Sequence, residues 1–117
     1  MILAADIAGT SAHLALFDSS GTRLLRVETY TTGHGDSVAA VVARFLGSMP
    51  EPRIDAACFG LGPGRAVYAH ELAEVFELPI VVVVDGLEAS VHHLRDLAAI
   101  AADRLAVTPQ PKAVFSA

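Results

Sequence analysis

A run of valines at residues 80–84 (IVVVV) constrains the fold of this chain more than any other feature. The run is far shorter than the roughly 20 apolar residues that a membrane-spanning helix needs. It shows no alternation of apolar and polar residues, and Pro79 precedes it. These properties are typical of a β-strand that is buried on both faces, which predicts an α/β fold with helices on either side of a sheet.

The first thirty residues predict three consecutive strands. Segments 2–6 (ILAAD) and 12–18 (AHLALFD) are separated by the short turn AGTS. A Ser-Ser-Gly hairpin signal at 19–21 then leads into the apolar segment RLLRVETYT. Connections this short imply that the three strands pair in antiparallel fashion.

Helices and strands alternate in the rest of the chain. Asp36 is the expected N-cap of a helix that runs to Leu46, and IDAACFG at 54–60 predicts a fourth strand. A short helix at 69–78 precedes the valine run, and a long helix is expected from Gly86 to about Leu105.

The element order is therefore β-β-β-α-β-α-β-α. We predict one α/β domain over residues 1–107, a ribonuclease H-like five-stranded mixed sheet of order 3-2-1-4-5 with helices on both faces. Residues 108–117 contain two prolines and no periodicity, and we expect a flexible tail there.

Composition excludes several classes of function. The net charge is −5 and the 8 Lys and Arg residues never form a basic run, which argues against nucleic-acid binding. The N-terminal MILAAD carries no export signal, and no apolar run could span a membrane. A single cysteine, Cys58, rules out an internal disulfide and is expected to be a buried thiol. We predict a cytoplasmic protein.

The stretch DIAGTSAHLALFD at 6–18 resembles the bacterial glucokinase pattern Asp-Ile-Gly-Gly-Thr-Asn-Ala-Arg-Leu-Ala-Leu. The similarity continues through AACFG at 56–60, and through ELAEVFELPIVVVV followed by LEA at 71–89. It covers about residues 2–92. The chain thus resembles the N-terminal, ribonuclease H-like domain of glucokinases, in the actin, Hsp70 and sugar-kinase superfamily.

This resemblance implies a phosphate-binding turn. In the family, small residues let backbone N–H groups approach the nucleotide phosphates, and the aspartate helps to hold the metal through water. The matching positions here are Asp6, Gly9, Thr10 and Ser11. The turn departs from the pattern because Ala8 replaces a glycine, Ser11 an asparagine and His13 an arginine. The alternative interpretation is a tight connection between two strands.

A second implied site follows the fifth strand, where the family has an Asn-Asp pair that binds the sugar and supplies the catalytic base. In a gap-free alignment Asp85 falls on the asparagine and Gly86 on the aspartate, so no catalytic base is assigned. A shift of one residue would bring Asp85 to the base position and Val84 to the sugar-binding one. The resemblance implies substrate contacts at Asp85 and Glu88. The alternative role for Asp85 is that of a helix cap.

Two further features have simple interpretations. The GLGPG segment at 60–64 resembles a loop in a bacterial protein that supports threonylcarbamoyl-adenosine modification of transfer RNA, but it also fits an ordinary strand-end loop. The histidines show no metal-ligand spacing, because His92 and His93 are adjacent and the other three lie on separate elements. No metal site is predicted.

The last predicted helix carries an apolar heptad seam, widened by Leu97 and Ile100. Its members are Leu87, Val91, Leu94, Ala98, Ala101 and Leu105. Such a stripe fits a core helix that lies across its own sheet, but a helix of about 20 residues spans roughly 30 Å and is longer than a typical strand, so its end could extend beyond the sheet. Together with the expected absence of the second kinase domain, this seam predicts exposed apolar surface and a homodimer.

Three functions are consistent with the sequence. The first is a degenerate, non-catalytic glucokinase-like half-domain that acts through self-association or other protein contacts. The second is a sugar-kinase subunit whose nucleotide-binding half is a separate polypeptide. The third is a small-ligand sensor with a pocket between Asp6 and Asp85, at the carboxyl ends of neighbouring strands. The first function requires no cofactor. If the phosphate-binding turn still binds a ligand, the resemblance implies that the ligand is ATP with magnesium.

Overall fold

The computed structural model describes residues 1–32, 37–49, 53–62, 69–85 and 91–107. The elements are β1 (Ile2–Ala8), β2 (Ser11–Phe17), β3 (Leu24–Thr31), α1 (Val38–Gly47), β4 (Ala56–Leu61), α2 (Ala69–Phe76), β5 (Val81–Asp85) and α3 (Leu94–Val107). A single 3₁₀ turn at Val91–His93 leads into α3. The strands form one sheet in the order β3-β2-β1-β4-β5, as predicted from the sequence.

The three N-terminal strands pair in antiparallel fashion, and β4 and β5 add in parallel to β1. Ala8 lies opposite Ser11, so the β1–β2 loop contains only Gly9 and Thr10. Gly9 has a φ of 58°. Positive φ at the first central residue is what a type II′ hairpin turn requires, and glycine adopts it without steric cost.

Helices cover both faces of the sheet and create two apolar cores. The core beneath α1 and α2 is built from large side chains, among them Leu3, Ile7, Leu14, Val42, Phe45 and Phe59. The core beneath α3 includes Ile2, Phe17, Cys58, Leu94, Leu97 and Ala98. Cys58 is fully buried, which confirms the prediction for this thiol, and burial raises its pKa to about 12.

The prediction for the start of α1 was wrong by one residue. Ser37, not Asp36, is the N-cap, because its hydroxyl accepts a hydrogen bond from the backbone N–H of Ala40 at 3.0 Å. Serine and aspartate are almost equally good caps, so their order in sequence could not decide between them. Val38, Val41, Val42 and Phe45 are buried as the predicted apolar stripe.

The predicted start of the last helix at Gly86 lies outside the described residues. The described helical structure starts with the turn at Val91, and α3 itself runs from Leu94 to Val107. Val91, a member of the predicted seam, lies in the 3₁₀ turn before α3 and is 46% exposed. The buried side chains of α3 are Leu94, Leu97, Ala98 and Ala101.

The valine run forms β5, and its two faces pack against the two cores as predicted. Val81 and Val83 lie on one side and Val82 and Val84 on the other, but the burial is only partial. Val81 to Val84 are half-buried, because β5 is an edge strand of the sheet and has only β4 as a neighbour. In the described part of the chain, no helix has the length and apolar character needed to cross a lipid bilayer. The predicted tail at 108–117, the Pro63–Gly64 part of GLGPG, and Gly86, Leu87 and Glu88 lie outside the described residues.

Candidate functional site

Asp6 lies on the α3 face of the sheet, near the carboxyl end of β1. Strand register places it between His13 of β2 and Gly60 of β4. Thr29 of β3 and Val84 of β5 complete the same row across the sheet. Asp6 is 1% exposed, which is unusual for an aspartate and requires that its carboxylate be paired or hydrogen-bonded.

His93 supplies a partner for this carboxylate. Its Nδ1 atom lies 3.0 Å from Oδ2 of Asp6. An ionised carboxylate only accepts hydrogen bonds, so the imidazole donates from Nδ1. The His93 side chain is 51% exposed while that of Asp6 is 2% exposed, so the contact joins a buried anion to the protein surface. His93 reaches this position because the turn before α3 lies over the end of β1.

Gly60 allows Asp6 and α3 to come close together. A Cβ atom at this position would lie 3.1 Å from Oδ1 of Asp6 and 3.4 Å from Cδ1 of Leu97. The first distance is shorter than ordinary van der Waals contact, and the second lies at its lower limit. Because Gly60 has no side chain, the Asp6 carboxylate and α3 can pack closely against β4 at this point.

A cleft of about 280 Å³ opens beside this pair. Its walls are mostly apolar and are formed by Asp6, Gly60, Val84, Asp85, His93, Asp96 and Leu97. Asp85 ends β5 and lies opposite Leu61 in the register, which brings it to the same end of the sheet as Asp6. The sequence prediction that Asp6 and Asp85 face a common pocket agrees with this arrangement. Glu88 lies outside the described residues.

The other residues of the implied phosphate turn lie apart from the cleft. Gly9 and Thr10 are exposed and form the β1–β2 hairpin loop. The backbone N–H of Thr32 donates to the carbonyl of Thr10 at 2.8 Å, and the Thr32 hydroxyl donates to the carbonyl of Gly9 at 3.4 Å. The loop is thereby fixed to the end of β3, and Ser11 begins β2. The turn thus acts structurally as a strand connection.

The aspartate that the resemblance assigned to magnesium binding through water already has a protein partner in this structure. Magnesium is held by oxygen ligands and bound water in a near-octahedral arrangement. Here Oδ2 of Asp6 is bound by an imidazole nitrogen, and Oδ1 faces Gly60. A metal-bound water that used Asp6 would have to share this carboxylate with His93.

The other histidines that the structure describes do not build a metal centre with these groups. His13 is hydrogen-bonded through Nδ1 to the hydroxyl of Thr29 at 2.9 Å. Across the residues that the structure describes, no group of three or more His, Cys, Asp or Glu side chains has an arrangement that could hold a metal ion.

Sequence analysis did not predict that His93 and Asp96 belong to the site. His93 had been expected to bind no metal, because it is adjacent to His92, and no role had been assigned to Asp96. No local pattern identifies a contact between residues 87 positions apart. A usable signal was the buried Asp6 itself, because an aspartate within an apolar strand needs a partner from another element.

Comparison with known proteins supports the fold. No protein-family model matches the sequence, and no curated protein matches it. The structure is similar to a crystal structure of a glucokinase from an Antarctic psychrotroph, with a TM-score of 0.58 and 23% sequence identity. The match covers 72% of this chain and 31% of that glucokinase chain. The chain therefore has a sugar-kinase-like, ribonuclease H-like fold, and it spans less than a third of that glucokinase.

Proposed function

We propose that this chain is a non-catalytic, glucokinase-like half-domain that acts through self-association. The observation that carries the non-catalytic part is the contact between Asp6 and His93. In the family, an aspartate at this position helps to hold the metal through water. Here that carboxylate is buried and is engaged by an imidazole of the same chain, so its role is to fix the start of α3 on the sheet.

The sequence after β5 supports the same proposal. The gap-free alignment puts Gly86 where the family has its catalytic base, and glycine cannot accept a proton. Loss of a general base alone lowers the rate by a factor of about 10² to 10⁴. Phosphoryl transfer depends on positioning and on charge stabilisation. Without the base, the described residues supply only part of that arrangement.

Exposed apolar side chains support the self-association part. Single exposed apolar residues are ordinary, but contiguous ones mark interaction surfaces. Leu24, Leu25 and Val27 of β3 are 43%, 46% and 40% exposed. Val91 lines the same shallow groove as Leu24 and Val27.

Two measurements test this function. The pure chain should release no ADP from ATP in the presence of glucose and magnesium, while an active glucokinase assayed in parallel does so. Sedimentation velocity should reveal a dimer that dissociates on dilution. Glucose-dependent ADP release above background would refute the non-catalytic assignment.

The cleft beside Asp6 favours a second candidate, a small-ligand sensor or a sugar-binding kinase subunit completed by another polypeptide. Asp85 is exposed at the mouth of this cleft, where it could bind hydroxyl groups. If this candidate is correct, glucose raises the unfolding temperature of the wild-type chain and not that of Asp85→Asn. Identical unfolding temperatures of the wild-type chain with and without glucose would exclude glucose as the ligand of this cleft.

A further inference from the structure

The outer edge of β3 is the longest unpaired strand edge in the described sheet. β3 has eight residues and pairs only with β2, and β5 at the opposite edge has five. An edge of this kind presents unpaired N–H and C=O groups that can accept another strand. Proteins that remain monomeric usually protect such edges with short strands, prolines, charged side chains or bulges. β3 (LLRVETYT) contains no proline and no lysine, its charged residues are Arg26 and Glu28, and its one irregularity lies near its start, at Leu25.

One face of β3 is also uncovered. α3 lies over β1 and β4, near the middle of the sheet, and side chains on the α3 side of β3 stay exposed. Val27 and Leu24 line one groove on this side. Leu25 lies beside them at the irregularity where Phe17 pairs with Leu24 and Leu16 with Arg26. On the opposite face Arg26 and Tyr30 are partly covered, because the Arg26 guanidinium lies 5.9 Å from the Phe45 ring centroid.

The charges of β3 are arranged for pairing with a second copy of the same strand. In an antiparallel pair related by a twofold axis, directly opposite residues point to the same face, so one residue lies opposite its own copy. An axis at Val27 places Val27 opposite Val27. It also places Arg26 opposite the partner's Glu28, and Glu28 opposite the partner's Arg26.

The neighbouring registers lack this match. An axis at Arg26 brings two arginines face to face, and an axis at Glu28 brings two glutamates face to face. Like charges that lie directly opposite destabilise a strand pair, and opposite charges stabilise it. Within one copy, Arg26 and Glu28 are already 3.2 Å apart, and both side chains are partly exposed (34% and 41%), so they can contact a partner.

We propose that two copies of this chain pair antiparallel through β3, about a twofold axis at Val27, to form one continuous ten-stranded sheet. This inference rests on the self-association in the proposed function and specifies its surface. Four opposite-charge contacts, two within and two between the copies, line one face. The exposed leucine and valine side chains meet on the other.

Charge reversal tests the register. Arg26→Glu and Glu28→Arg should each raise the dimer dissociation constant roughly tenfold or more, because each change acts twice across the axis. The double variant Arg26→Glu/Glu28→Arg should restore dimerisation, since opposite charges again face one another. Sedimentation measures the dimer dissociation constant of the wild type, the two single variants and the double variant. Thermal unfolding at low concentration checks that each variant is folded. Unchanged dimerisation in the single variants, or no recovery in the double variant, overturns the proposal.

Cysteine cross-linking tests the same register without relying on charge. In the proposed pairing, Cα atoms at position 27 lie about 4.5–5.5 Å apart, within the range for a disulfide. Cα atoms at position 25 lie about 13 Å apart, four residues along the strand. Val27→Cys should therefore form a disulfide-linked dimer on oxidation, and the control Leu25→Cys should not. The native Cys58 is buried and does not interfere.

These outcomes separate the two proposals. A wild-type chain that sediments as a monomer at every concentration refutes both self-association and the β3 interface. A wild-type dimer in which Val27→Cys fails to cross-link, or cross-links no better than Leu25→Cys, refutes only the β3 interface.

Discussion

The Nδ1 atom of His93 lies 3.0 Å from Oδ2 of Asp6, although the two residues are 87 positions apart in the sequence. This contact joins the turn before α3 to the first strand of the sheet. It also engages the carboxylate that the resemblance to glucokinases had assigned to nucleotide binding. The same pair of residues therefore bears on both stability and function.

Removal of the imidazole should destabilise the fold. His93→Ala leaves the buried carboxylate of Asp6 without this donor, and loss of a hydrogen bond to a charged group costs about 1–3 kcal/mol. His93→Asn is the matched control, because its amide nitrogen can replace Nδ1 as a donor. Urea unfolding at neutral pH should show a larger loss for alanine than for asparagine. Equal stability of His93→Ala and the wild type would show that the contact contributes nothing.

A glycine in the β2–β3 loop should be essential for docking of α3. Gly21 has a φ of 76°, and a Cβ atom there would lie 2.9 Å from both the Ala98 carbonyl oxygen and the Ala102 Cβ. Gly21→Ala should therefore lower the unfolding free energy by about 1–3 kcal/mol, through steric overlap and backbone strain together.

Gly47 provides the control for that substitution. It ends α1, and a Cβ atom there would meet nothing within 4 Å. Gly47→Ala should leave stability unchanged or raise it by up to about 1 kcal/mol, because alanine has the higher helix propensity. Similar effects of the two substitutions in thermal unfolding would contradict the packing described around Gly21.

The N-terminal ammonium group should give the fold a defined acid sensitivity. It donates to Oδ2 of Asp55 at 2.7 Å, and this hydrogen bond, opposed by partial burial, holds the pKa of Asp55 below its ordinary value of 3.8. A lowered folded-state pKa contributes stability at pH values above 3.8, and this contribution is lost as the pH falls through the folded-state pKa.

Asp55→Asn isolates this effect from the general response to acid. At neutral pH the variant should be less stable than the wild type by about 1 kcal/mol or less, since the pair is partly exposed. The difference should disappear at a pH well below 3.8. Urea unfolding at both pH values measures it, and a difference independent of pH would assign the effect to packing.

Local signals were sufficient to predict most of the fold. The AGTS turn, the Ser-Ser-Gly signal and the apolar segments around them predicted β1 to β3, and the element order predicted the sheet. The 3₁₀ turn before α3 was not predictable in this way, because the apolar stripe of the last helix continues in sequence through Val91, which is exposed in that turn.

The site was less predictable than the fold. Strand ends and the β1–β4–β5 order brought Asp6 and Asp85 to one end of the sheet, as expected from topology. His93 joined them because the turn before α3 lies over that end of the sheet, where Leu97 of α3 packs close to Gly60. Such packing is a property of the tertiary structure, and no spacing in the sequence encodes it.

The most direct test of the account is calorimetric titration of the wild-type chain with magnesium–ATP. Because His93 holds Asp6, the account predicts no saturable heat of binding, with or without glucose. One-to-one binding that Asp6→Asn abolishes would contradict it, since Asp6 would then serve the nucleotide.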